Sequence, residues 1–273
     1  MDSENTTWRD GLATAAQRTL PGSTVQRWAF VVLMLVASVL RLWDIPPIPY
    51  THDEISALIR VYPSLGETGS KGVIELDTHP PGVQVFEWAW TKLFGMDEGT
   101  VKLPFILFSL LALFSLYRFT FAWCGGNVAL IVTALLATLQ YTVMYGQIAR
   151  PYAAGIFTTA LLADQLTRYL GSGSRRTLIG IAVAALLSAY THHFALMLSA
   201  FMVVTVFFLI VPAKRKGFLI ACGIAVLLYL PNVPIFLKQF GEKGLDEWLS
   251  APTINWIPDY LWWIAHCSMY FAI

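Results

Sequence analysis

Just past the first long apolar stretch of the chain stands Pro49-Tyr50-Thr51-His52-Asp53-Glu54, with two adjacent carboxylates. Neighbouring residues on a helix point about 100° apart, so these two acids cannot both face one substrate atom. Thr51-His52-Asp53-Glu54 fits a capping box, with Thr51 as cap and Glu54 at the third helical position. Glu54 therefore has two readings, a local cap or a second functional acid. Asp53 is left as the free carboxylate of the first turn, where the positive end of the helix dipole favours its ionised form. An ionised carboxylate accepts protons and hydrogen bonds, which suits a general base or a group that orients a nucleophile; the plain alternative is a solvated loop acid. A zinc peptidase would need His-Glu-x-x-His on a helix. Here the order is His52-Asp53-Glu54, with no second His at that offset.

Further candidates are spread along the chain. Asp77 and His79 lead into Pro80-Pro81, a natural helix start, so His79 is either a local hydrogen-bonding group or the rim of a site. Gln147, Arg150 and Tyr152 fall at a break between two apolar runs, with Gln140 one heptad before Gln147. An arginine at a membrane interface is a natural phosphate binder, because its planar fork is always charged; the alternative is snorkelling to headgroups. His192 and His193 form the next turn on the same side, as interfacial hydrogen bonders or as site residues. Lys238, Lys243, Asp246 and Glu247 show no pattern.

These residues need a scaffold, and the composition says what kind. Of the 273 residues 56% are hydrophobic and 13% charged, about half the charge of a soluble domain. The charges are clumped, which leaves runs near the ~20 residues that cross a bilayer. The fold class expected is an all-α polytopic membrane protein. Trp and Tyr gather at the segment ends, as in interfacial belts. A formal net charge of +1 gives no reason to expect nucleic acid. Cys124, Cys222 and Cys267 are scattered, with no metal spacing or disulfide framework. No short apolar region with a cleavage site opens the chain, so the first run reads as a retained span.

Apolar runs fall at about 28–43, 103–122, 128–148, 152–170, 177–191, 194–211, 217–237 and 259–273, about eight spans. Between 44 and 102 lie two shorter helical patterns. Ile55, Leu58, Ile59 and Tyr62 share one face of the first. In the second, Phe86, Trp90, Leu93 and Phe94 share one face and Gln84, Glu87 and Thr91 the other. Its length suits an amphipathic helix lying in the interface. Alternate breaks carry Arg118, then Arg168, Arg175 and Arg176, then Lys214, Arg215 and Lys216. Positive-inside bias puts these, and the tail 1–26, in the cytoplasm. That tail makes the Asn5-Thr6-Thr7 sequon meaningless. The 44–102 loop, the Arg150 and His192 turns and the 238–258 loop then face outward, provided that the second short helix does not cross. Residues 27–237 form one module, and 238–273 reads as an outer loop and the start of a further span in a longer protein.

The order of these motifs resembles the GT-C glycosyltransferases that use polyprenyl-phosphate sugars, in the branch of protein O-mannosyltransferases and aminoarabinose transferases. Asp53-Glu54 follows the first span, His79-Pro80-Pro81 opens a helix ending Lys92-Leu93-Phe94-Gly95, and Lys102-Leu103-Pro104 stands where Arg-Leu-Pro is usual. Tyr145-Gly146-Gln147-Ile148-Ala149-Arg150-Pro151-Tyr152 is similar to the family's Tyr-Ser-Gln-Glu-Ala-Arg-Pro-Tyr, with Ile148 in place of Glu. Tyr190-Thr191-His192-His193-Phe194 resembles its Tyr-Thr-His-Tyr-Phe turn. The resemblance covers about residues 27–210 and implies a GT-C-like bundle with interfacial helices in the first outer loop. It implies an enzyme of the bacterial inner (plasma) membrane and cell envelope. A sugar would move from a polyprenyl-phosphate donor to a lipid, glycan or protein acceptor on the outer face. Asp53 would be the general base supported by Glu54, and His79, Gln147, Arg150, Tyr152 and His192 would contact substrate. Arg150, Lys102 or a histidine would supply positive charge to the leaving phosphate. Asp53 and Glu54 are also where a divalent metal would sit, although one loop supplies too few ligands to argue for one. A lipid-linked-sugar transporter or flippase, or a noncatalytic partner subunit, is the rival. A transporter should show charged or broken segments near mid-membrane, and none is evident in the sequence.

Overall fold

The computed structural model describes residues 11, 14, 23–43, 45, 48–241 and 252–264, and among these it is all helical, without strands. Most of the expected 1–26 tail and of 238–273 lies outside the described residues, as do Lys243, Asp246, Glu247 and Cys267.

Helix α1 (Thr24–Leu42) begins at Ser23, whose hydroxyl accepts from Gln26 N. A capped short helix, α2 (His52–Leu58), follows; then a π-helical stretch, Thr68–Glu75; then α3 (Pro81–Phe94). At 14 residues α3 is about 21 Å long, too short to cross a bilayer. The chain continues through α4 (Glu98–Cys124), α5 (Gly126–Thr138), α6 (Gln140–Gln147) and α7 (Pro151–Ser172). Next come α8 (Arg175–Thr191), α9 (His193–Leu209), α10 (Pro212–Tyr229), α11 (Val233–Gly241) and α12 (Trp256–Ile264). Helix α7 is the axis of the bundle, packed most extensively on α4 and α8 and also on α9.

Three helical stretches among the described residues, Thr24–Leu42, Glu98–Cys124 and Pro212–Gly241, are long and apolar enough to span, or four if α5 and α6 make one bent span. That is fewer than the eight runs expected. Helices α8 and α9 have 17 residues each, and α7 carries Asp164, Gln165 and Arg168 in its second half. Large apolar side chains on α1, α9 and α10 are exposed, among them Leu35, Val39, Phe201, Val204, Ile220 and Leu227. In a protein with helices of spanning length, this is the surface that lipid covers.

The turns sort to two ends. At one end Asp164 binds Arg118 and Arg168 at 3.0 and 3.1 Å, and the Tyr169 hydroxyl donates to Lys214 O at 2.7 Å. A core of Leu162, Leu166, Tyr169, Ile181, Ile210 and Phe218 lies beside them. The opposite end gathers the 48–102 loop, the turn before α7 and the turn before α9 over Val83, Val101, Phe105, Ala149 and Ala153.

The expected run 128–148 is not continuous: α5 and α6 meet at a 62° bend. A bend frees carbonyls that must find other donors. Arg41 of α1, 1% exposed, reaches over with Nη1 on Ala137 O and Nη2 on Leu136 O, both at 3.0 Å, and Nε on Ser109 Oγ at 2.8 Å. The Thr142 hydroxyl donates to Leu136 O at 2.6 Å. A broken segment therefore exists where the sequence suggested none, but its carbonyls are sealed by protein.

Candidate active site at the loop end of the bundle

Glu54 assembles this end. Thr51 Oγ1 accepts from Glu54 N, and Glu54 Oε2 accepts from Thr51 N at 2.8 Å, so the capping box is formed. The other oxygen, Oε1, accepts from Ala149 N at 2.8 Å, and Lys102 Nζ lies 3.8 Å from Oε2. Glu54 is fully buried, so of its two readings the geometry favours the cap, and neither oxygen opens to a ligand. Lys102 is equally committed, donating to Ile48 O and Pro49 O at 2.9 and 3.1 Å. It is not free to meet a leaving phosphate.

With Glu54 turned inward, Asp53 points out on the next helical position, 59% exposed. The Tyr152 hydroxyl donates to Asp53 Oδ2 at 3.5 Å, the long end of a hydrogen bond. His52 is more exposed still and 3.9 Å from Asp53 Oδ1. Tyr152 stands edge-on to Tyr145, with ring centres 5.0 Å apart, and both line a cavity of about 250 Å³ between α6, α7 and α9. Tyr141, Ile156, Phe194 and Leu198 line it further, and its walls are almost wholly apolar.

Pro151, at the first position of α7, follows Arg150, which is 6% exposed. Arg150 Nη2 lies 3.3 Å from His79 Nδ1, while Arg150 Nε has no hydrogen-bond partner. His79 Nδ1 is also 3.0 Å from Asp77 Oδ1. One ring nitrogen cannot donate to a carboxylate and accept from a guanidinium together. A proton there serves Asp77 and leaves Arg150 with N–H groups to spare. Asp77 further binds Arg60 Nη1 at 3.0 Å and the backbone N–H groups of Thr78 and His79. Burial works to raise its pKa, but the His79 hydrogen bond and the charges of His79, Arg60 and Arg150 outweigh it and hold the carboxyl below its ordinary range.

The tandem histidines divide their tasks. The His193 ring bonds Thr78 O through Nε2 at 3.1 Å, tying α9 to the loop before α3. His192 caps α9, its Nδ1 accepting from Phe194 N at 3.1 Å, so the ring proton sits on Nε2. Burial, helped by the nearby His79, His193 and Arg150, pushes its pKa down to about 4, so His192 is a neutral donor lining the cavity. Its ring centre is 5.6 Å from that of His79 and 6.4 Å from that of Tyr152. Gln147 turns away instead: its Nε2 donates to Arg41 O at 3.1 Å, pinning the α6 end to the end of α1.

Asp53, Tyr152, Arg150, His79 and His192 thus come together from four separate stretches, and Glu54 and Gln147 hold them there. Sequence reasoning passed over Arg60, Glu87 and Gln239. Gln239 Nε2 donates to Asp77 O at 3.1 Å and His79 O at 2.7 Å. The signal available was the polar face of α3: Gln84, Glu87 and Thr91 are buried, while Leu93 and Phe94 of its apolar face are exposed. Among the described residues no three His, Cys, Asp or Glu side chains gather as a metal-binding group.

Residues 78–235 match the family described as dolichyl-phosphate-mannose-protein mannosyltransferase, a stretch that contains His79, Arg150, Tyr152 and His192 and starts after Asp53. No curated protein and no solved structure matches the chain. The match covers more than half of an all-helical membrane protein whose gathered polar groups lie within it or beside it, and the chain belongs to this mannosyltransferase family.

Proposed function

We propose that the protein transfers a sugar from a polyprenyl-phosphate donor to an acceptor hydroxyl at the outer face of a bacterial plasma membrane, with Asp53 as general base. The observation that carries this is a juxtaposition. An exposed carboxylate stands beside Tyr152 at the mouth of an apolar, aromatic cavity, and Arg150, with N–H groups unspent, precedes the proline that helps line that cavity.

The chemistry divides accordingly. The prenyl tail lies along the aromatic cavity between α7 and α9, so the protein has only to place the headgroup. Asp53 takes the acceptor proton as the acceptor oxygen bonds to the anomeric carbon from the face opposite the leaving group, with inversion. The bond from that carbon to the phosphate oxygen breaks, and the lipid phosphate departs as an anion. It needs no proton but does need positive charge and hydrogen-bond donors, which Arg150 and neutral His192 supply. The basic residues at the far end of the bundle support an outward orientation for the site. The broken α5–α6 segment is the feature a transporter would use, but its carbonyls face Arg41 and Thr142 rather than a cavity.

Transfer from a panel of polyprenyl-phosphate sugars in membranes, wild type against Asp53→Asn, tests the reading. A general base accounts for about 10²–10⁴-fold, so the variant should express normally and lose at least about a hundredfold. Equal transfer by both would remove Asp53 from the chemistry.

A further inference from the structure

Glu87 lies on the inward face of α3, 2% exposed, and its Oε1 has no hydrogen-bond partner. Arg150 is buried beside the same loop with its Nε likewise unpartnered. The two are within electrostatic range, yet they form no ion pair among the described residues. Two orphaned buried groups of opposite kind at one site call for an explanation, since a buried polar atom left without a partner destabilises the fold unless something completes it.

The groups around Glu87 can be named. Asp77 comes from the segment before α3, Glu54 from α2, Arg60 from the exit of α2, Arg150 from the turn before α7 and Tyr50 from the loop before α2. The π-helical stretch packed on α3 carries Glu75 and Lys71, the latter ion-paired with Glu67. Helix α8, whose Tyr190 carbonyl abuts Gly82, brings no charged side chain to this end, and Lys102 of α4 is engaged by Glu54. Burial dominates, opposed by Arg150, and pushes Glu87 up to about 8. Glu87 is neutral at neutral pH, and among the described residues no carboxylate forms an ion pair with Arg150, Asp77 being taken by Arg60 and His79.

We propose that Glu87 is a positioning residue for Arg150: when neutral it leaves the guanidinium to the donor phosphate, and when ionised it draws the guanidinium to itself. The proposal rests on the reading of Arg150 as the phosphate contact. One cation then serves two competing anions, so binding of lipid phosphate and ionisation of Glu87 oppose each other. By linkage, affinity for lipid phosphate falls above the ionisation of Glu87, with a limit of about tenfold per pH unit. Protonation of Glu87 favours the binding-competent form.

The test is the Kd of the full chain in detergent or nanodiscs for polyprenyl phosphate, the leaving group itself, from pH 7.5 to 9.5. A phosphate monoester is already largely dianionic there, so its own titration adds little. Wild type should weaken by about tenfold or more across the range. Glu87→Gln, which stays neutral, should bind as wild type does at pH 7.5 and stay flat. A flat wild-type profile, or a Glu87→Gln profile as steep as that of wild type, overturns the proposal, and the wild-type arm decides alone if the variant does not accumulate. Arg150→Ala separates the two readings. If it leaves Kd at pH 7.5 unchanged, Arg150 is not the phosphate contact; if it weakens binding while Glu87→Gln keeps the pH dependence, only the role of Glu87 falls.

Discussion

Neutralising Glu54 should unseat the site without touching its chemistry, and the structure sets the size of the effect. The carboxylate and the Lys102 ammonium are 3.8 Å apart and nearly fully buried. At an effective dielectric of about 20, such a pair is worth about 4 kcal/mol. Removing one partner leaves the other uncompensated, at a cost of about 3–5 kcal/mol. In Glu54→Gln one half of the amide must also face the N–H of Thr51 or of Ala149, which both donate to Glu54 at 2.8 Å. In Lys102→Met the stem is replaced and the charge lost, which leaves the Glu54 carboxyl buried without its cation. SDS unfolding in mixed micelles, followed by circular dichroism, gives the stability of each variant and of the pair. Each single change should cost about 3 kcal/mol or more, while the double variant should cost well under their sum, with a coupling of about 2–4 kcal/mol. Additivity within about 0.5 kcal/mol would refute the pair as the lock of this end.

Other outcomes follow from single contacts. Arg41→Met strands the Ala137 carbonyl at the helix bend and leaves the Leu136 carbonyl to Thr142 alone. Charge-assisted bonds contribute about 1.5–3 kcal/mol each, so the SDS unfolding midpoint should drop markedly, and Arg41→Lys should recover part of the loss. Gly82→Ala would put a methyl group onto the Tyr190 carbonyl, prising α3 from α8. Overpacking of this kind costs about 1–3 kcal/mol and should show as a lowered thermal midpoint. Gly66→Ala, with nothing within 4 Å, is the matched control that should show no loss from crowding.

The parts of this arrangement differed in how plainly the sequence wrote them. The capping box of Thr51 and Glu54 is local chemistry at fixed spacing, so it was readable and forms as expected. Pro80-Pro81 likewise marked the start of α3. Periodicity separated the two faces of α3 but could not say which one meets protein. In water the apolar face would turn in. Here Gln84, Glu87 and Thr91 turn in, Phe86 packs on Phe105 and Phe108 as well, and only Leu93 and Phe94 at the helix end turn out. The α2 stretch does the same, with Ile55 and Ile59 exposed and Glu54 buried. The bend between α5 and α6 left no Gly or Pro mark, since Thr138-Leu139-Gln140 reads as more helix. Nothing local in the sequence links Arg60, Glu87 and Gln239 to one another, and only the folded chain brings them to Asp77, Arg150 and His79.

The reach of Arg41 also orders events in time. Its partners on α5 lie 95 and 96 residues further along the chain. During synthesis α1 enters the bilayer well before those carbonyls exist, so its guanidinium must first sit among headgroups or water at the membrane edge. Only when α5 arrives and bends can the charge be drawn inward, and that same step brings Gln147 to the end of α1. The first span therefore gains its full set of Arg41 contacts only after the middle of the chain has been made, and the loop end of the bundle closes late.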